Sequence, residues 1–219
     1  MMKGLFIKDL RLLKGQKQFF AAVLLMMAIF MGTYTNFSFV ISYITMMVGV
    51  LTLTTISYDD FENGLGYIFT LPVSRRDYVG EKYLFSVVTT LPGLAAVSIL
   101  SFVVSGIRKI DFLPGEWVAS AVAGFLLVTM MLSVLIPLQL KFGVDKSRVA
   151  MMLVMGGIVL IIYVGTKVCD ALGIDWIRAV NILDELSPAV SLLGAAAICG
   201  IVMVISYLVS LHVIEKREF

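Results

Sequence analysis

The residues of this chain that could do chemistry are few, and their spacing argues against catalysis. His212 is the single histidine, and Cys169 and Cys199 are the two cysteines, so no metal-ligand spacing is available. No nucleophile stands beside a base within an apolar run, and no two carboxylates are placed there to share a proton. Gly64-Leu65-Gly66 lacks a third glycine, and no G-x-x-x-x-G-K-[ST] loop occurs, so the chain is not expected to hydrolyse ATP. It is not expected to be an enzyme or to hold a cofactor or metal. What remains is a charged run, residues 62–82, ENGLGYIFTLPVSRRDYVGEK, set between two very apolar regions. Its chemistry is that of recognition rather than reaction.

The elements around that run are hydrophobic helices. The chain is 60% hydrophobic and only 15% charged, far from the roughly 45–50% and 25% of soluble domains. The mean hydropathy is +1.00. Uncharged windows cover Gln18–Tyr58, Tyr83–Ile107, Trp117–Leu140, Val149–Thr166 and Leu186–Ile214. About 20 apolar residues cross a hydrocarbon core, so the first window holds two spans and the others one each. The expected fold is all-α and integral to the membrane, with six transmembrane helices at about 18–34, 37–57, 78–106, 116–140, 147–167 and 189–213. The unbroken apolar runs argue against a β-barrel, whose strands alternate.

Sidedness follows from the basic residues. Thirteen of the 17 lie at the amino-terminal end, at 75–82, at 141–148 and at Lys216-Arg217; only Arg108, Lys109, Lys167 and Arg178 are on the other side. The positive-inside rule then makes both termini cytoplasmic in a plasma membrane, with Trp117 and Trp176 near the outer interface. Residues 1–17 interleave basic residues with Leu5, Phe6, Leu10 and Leu13, although Asp9 and Ile7 are off the pattern. They are expected to form an amphipathic interfacial helix rather than a cleaved signal. A second surface helix is expected outside, over 170–186.

Within the charged run, Asp59, Asp60, Phe61 and Glu62 leave the second span. Leu65, Ile68, Phe69 and Leu71 then recur at helical spacing until Pro72. Ser74 followed by Asp77 predicts a cap that starts the next helix. A mere connector needs only about four to six residues, so a cytoplasmic helix here has a surface to offer a partner. In the second span Ser42, Thr45, Gly49 and Thr52 form one small or hydroxylated stripe. Two readings stand, lining of a substrate path or close helix packing.

Glu62, Gly64, Leu71-Pro72, Ser74-Arg75, Tyr78 and Lys82 resemble the intracellular segment between the second and third spans of ABC-2 type permeases, the membrane subunits of bacterial ABC exporters. The resemblance implies a coupling helix at 59–71, seated on a separate ABC ATPase subunit that carries the ATP and magnesium. It implies a second, smaller contact at 141–148, with Lys141, Asp145, Lys146 and Arg148. Arg75 and Arg76 either contact that partner or only hold topology. It also implies a second permease copy, most simply a homodimer, packed through spans one and five, which favours Gly156-Gly157. The Leu-Pro-Val-Ser-Arg form looks most like the branch exporting amphipathic peptides such as phenol-soluble modulins and bacteriocins. An amphipathic peptide or lipid-like substrate and the surrounding lipid are the expected contacts, and no nucleic acid is expected. The windows contain no charge that could serve as an ion relay, which favours ATP-driven export. The rival is an ATP-independent carrier or an immunity or sensory membrane component.

Overall fold

The computed structural model describes residues 2–61, 64–110, 113–171 and 188–217, with side chains described only in part over 144–171 and not at 188–189. These residues are helical almost throughout. Helix α1 (Met2–Gly15) meets α2 (Lys17–Thr33) at a 64° bend, and α3 (Phe37–Asp60) follows a short break. Tyr34 is extended, and the Asn36 side chain accepts a hydrogen bond from the Phe39 amide at 3.2 Å, which caps α3. The short helix α4 (Gly64–Thr70) leads to α5 (Arg75–Arg108), whose amino-terminal cap is Ser74. Its hydroxyl accepts from the Asp77 amide at 3.0 Å. Helix α6 (Pro114–Ala171) is broken at Gly143, and α7 (Pro188–Lys216) ends the bundle.

Among the described residues, four helices are long and apolar enough to cross a membrane, Phe37–Asp60, Arg75–Arg108, Pro114–Gly143 and Val190–Lys216. The bent pair α1 and α2 makes a fifth if taken as one span. The described helices therefore give four spans, or five with the bent pair, whose α2 has only 17 residues; the expected span at 147–167 falls where side chains are described only in part. The expected outer helix at 170–186 lies outside the described residues beyond Ala171.

Helix α3 occupies the middle, packed on α5 and α6 and touched by α1, α2 and α4, while α6 also packs on α7. Small residues set these approaches. A side-chain carbon added at Gly49 of α3 would lie 2.5 Å from Val128 of α6, and one at Gly93 of α5 would lie 2.7 Å from Val48. The small and hydroxylated stripe is packed within the chain: Thr45 and Thr52 are buried, Gly49 faces Val128, and Ser42 abuts Gly124. In lipid, helices associate by such close van der Waals fit. At 1.5 Å per residue the 34 residues of α5 extend about 50 Å. That exceeds the roughly 30 Å hydrocarbon core, so its first turns project towards α4.

Candidate functional site

The two ends of the bundle differ, and chemistry gathers at the end that carries α4. A carbon added to Gly64 would stand 2.7 Å from the Asp59 carbonyl, so the turn from α3 into α4 closes only around a glycine. Helix α4 then lays Leu65 and Ile68 into the core with Ile56, Tyr78 and Ile214. Its other face is open: Phe61, Tyr67 and Leu71 are exposed, Tyr67 at 71%. Pro72 is exposed as well. Of the expected coupling residues, Leu65 and Ile68 therefore anchor the helix, while Phe61, Leu71 and Pro72 form its outer face. Phe69 is half-buried, edge-on to Tyr78 at 5.7 Å. Glu62 lies outside the described residues. Tyr67 was missed by hydrophobic spacing, although two positions after Leu65 is the opposite side of a helix.

Asp59 does not join that face. It is 5% exposed and belongs to a buried ionic cluster that ties α1, α3 and α5 together. The Lys82 ammonium donates to the Asp9 carboxylate and lies 2.7 Å from Asp59 Oδ2. The Tyr78 hydroxyl donates to Asp59 at 3.2 Å, and Lys8 pairs with both Asp59 and Asp9. Glu81 adds a third carboxylate 3.5 Å from Lys82, with neither oxygen holding a hydrogen-bond partner among the described residues. Asp9, Glu81 and Lys82 have no exposed surface. The windows chosen from sequence excluded these charges, but the helices containing them extend beyond the windows. Asp9 sat off the amphipathic pattern because its partner is on another helix, and Ile7 is the residue left exposed.

A second knot joins the carboxyl-terminal end. Arg75 donates to the carbonyls of Ile214 and Glu215 at 2.5 and 2.6 Å while its guanidinium lies 5.7 Å from the Phe69 ring centre. It holds the last carbonyls of α7, which helix geometry leaves without internal donors. Arg76 stays exposed, 4.0 Å from Glu215. Arg217 donates to the Leu140 carbonyl at 3.0 Å and to Asp60 at 2.6 Å. Gly143, at φ 70° in the left-handed region, comes close enough that an added carbon would lie 2.6 Å from Asp60 Oδ2. Gln139 of α6 donates to the Leu53 carbonyl and to Ser57.

The two segments expected to meet a partner, 59–71 and 141–148, are therefore held against one another through Asp60. Lys141 and Lys146 are exposed; the side chains of Asp145 and Arg148 lie outside those described. Gly156 and Gly157 have no atom within 4 Å of an added carbon, so nothing among the described residues packs on them. Lys8 reaches Asp59 and Arg217 reaches Asp60, so α1 and the residue after α7 both meet the end of α3 that leads into α4. At the opposite end Arg108 donates to the Met31 and Tyr34 carbonyls and holds the end of α2.

This arrangement is a mechanical one: a short helix with an apolar outer face, welded by buried ions and helix-end arginines to the spanning helices. Among the described residues no group of three or more His, Cys, Asp or Glu could hold a metal ion. No curated protein and no solved structure matches the chain. A family model described as ABC-2 family transporter protein matches residues 4–215.

Proposed function

Since the chain belongs to the ABC-2 family of transporter proteins, we propose that it is the permease subunit of an ATP-driven exporter whose force enters through α4. A separate ABC ATPase subunit, carrying ATP and magnesium, grips the exposed Phe61, Tyr67, Leu71 and Pro72, with Lys141 and Lys146 as the second contact. Two copies pair, with Gly156-Gly157 at their interface, in a plasma membrane with both termini cytoplasmic. The cargo is hydrophobic or amphipathic, and peptidic in the branch that the sequence resembles.

The observation that carries this reading is the construction of α4. A seven-residue helix with its inner face in the core and its outer face bare is of no use as a connector. It is useful as a handle. Closure of the ATPase pair would displace α4 with the ends of α3 and α5, because Asp59, Tyr78 and Lys82 bind those helices together. Packed helices respond to such a push by rocking between discrete arrangements rather than by stretching.

The buried cluster favours one rival specifically, a carrier driven by an ion gradient, since buried charges in membrane proteins serve as relays. The two readings separate in proteoliposomes containing the chain and its co-expressed ATPase. Export should require ATP, persist when the proton gradient is collapsed, and stop when Ile68→Pro breaks α4, while ATP hydrolysis continues. Failure of the ATPase to copurify, or export sustained by a gradient without ATP, would reject the proposal.

A further inference from the structure

Beneath the elbow between α1 and α2 lies a groove of about 410 Å³, walled by Leu10 and Leu13 of α1, Leu24 of α2, Val48 of α3 and Val88 and Ala96 of α5. Its volume falls in the roughly 300–1,000 Å³ range of ligand pockets. In α5 the small side chains of Pro92 and Ala96 leave room on the wall, while Gly93 lets Val48 of α3 pack close at its floor. The single hydroxyl on the walls, Thr89, is already committed to the Phe85 carbonyl at 2.7 Å. Leu10, Leu24 and Val88 are all exposed, so the groove opens to the side of this chain.

The helix turns next to the groove carry charge of one sign. Lys14 lies one turn beyond Leu10 on α1, and Lys17 lies one turn before Phe20, another wall residue, on α2. Both lysines are exposed, and neither has an ion-pair partner among the described residues. No acidic residue lines the groove. A peptide is a poor occupant, since its backbone amides and carbonyls would find no partners on these walls. An acyl chain needs none, and a phosphate at its head would meet both lysines.

We infer that this groove binds one anionic phospholipid, with an acyl chain between α1, α2 and α5 and the headgroup phosphate at Lys14 and Lys17. The site goes beyond the coupling of α4 to an ATPase and does not depend on it. Its effect is to brace the 64° bend, because the lipid fills the inside of the angle between α1 and α2.

The test is native mass spectrometry of the full-length chain in detergent, titrated with dioleoyl phosphatidylglycerol or dioleoyl phosphatidylcholine. One phosphatidylglycerol should bind per chain, and more tightly than phosphatidylcholine. Lys14→Gln with Lys17→Gln should weaken phosphatidylglycerol about thirtyfold, at roughly fivefold per basic residue beside an anionic headgroup, and leave phosphatidylcholine unchanged. Ala96→Trp, which fills the groove, should weaken both lipids. Equal binding of the two lipids, or an unchanged affinity in the double lysine variant, would overturn the site. So would a disulfide between Leu24→Cys residues of two copies that forms with no lipid retained, since a second copy would then be the occupant. The lysines are exposed, so the double variant remains a fair test even if Ala96→Trp does not fold.

Discussion

Lys82 is fully buried and holds carboxylates from two other helices, Asp9 of α1 and Asp59 of α3. Replacing it with Met should leave those two carboxylates, with Glu81 beside them, to the half-buried Lys8 alone and cost about 3–5 kcal/mol, the usual penalty for breaking a buried pair. Thermal unfolding in detergent would measure it; an unchanged midpoint would mean that the cluster contributes nothing. Glu81→Gln has the opposite expectation. Its oxygens have no donors among the described residues, so removing the charge should be neutral or stabilising in the same assay. Gly143→Ala combines a left-handed backbone with a clash at Asp60 and should lose about 1–3 kcal/mol. These outcomes separate the residues that bind helices together from those whose charge is merely tolerated.

Among the elements, α4 and the start of α5 are the most legible in sequence, because their signals are local. The Ser74 cap, the Pro72 stop and the Leu65 and Ile68 spacing all act within a few residues. The role of Arg75 was not legible, since the carbonyls it binds are 139 and 140 residues away. Arg75→Ala should fray the end of α7 and loosen α4, raising amide hydrogen exchange at both. Arg75→Lys should restore only part of the protection, because one ammonium replaces the guanidinium fork poorly. Exchange confined to α7 would disconnect that helix from the handle. The hydroxylated stripe of α3 was similarly half-legible: spacing marks the face, but only packing decides that Gly124 and Val128 of α6 cover it.

For the molecule as a whole, the two segments expected to contact a partner meet at Asp60, to which Arg217 and Gly143 bring the α6 break. On the proposed coupling through α4, Arg217→Ala should lower export per ATP hydrolysed in proteoliposomes while sparing insertion; equal coupling in the variant would mean the two segments act separately. The amino-acid sequence by itself determined the class of the protein, its helical make-up and the site of the short helix between two long ones. Hydropathy, helical period and capping act over one span or one turn, so a linear reading contains them. Only the tertiary structure decided that Asp59 turns inward, that Asp9 belongs with Lys82, and that the carboxyl-terminal end is bound to the handle. Those choices are made by partners 19 to 157 residues apart. A buried charge is stable only where the fold delivers its counter-charge, and spacing along the chain carries no record of that meeting.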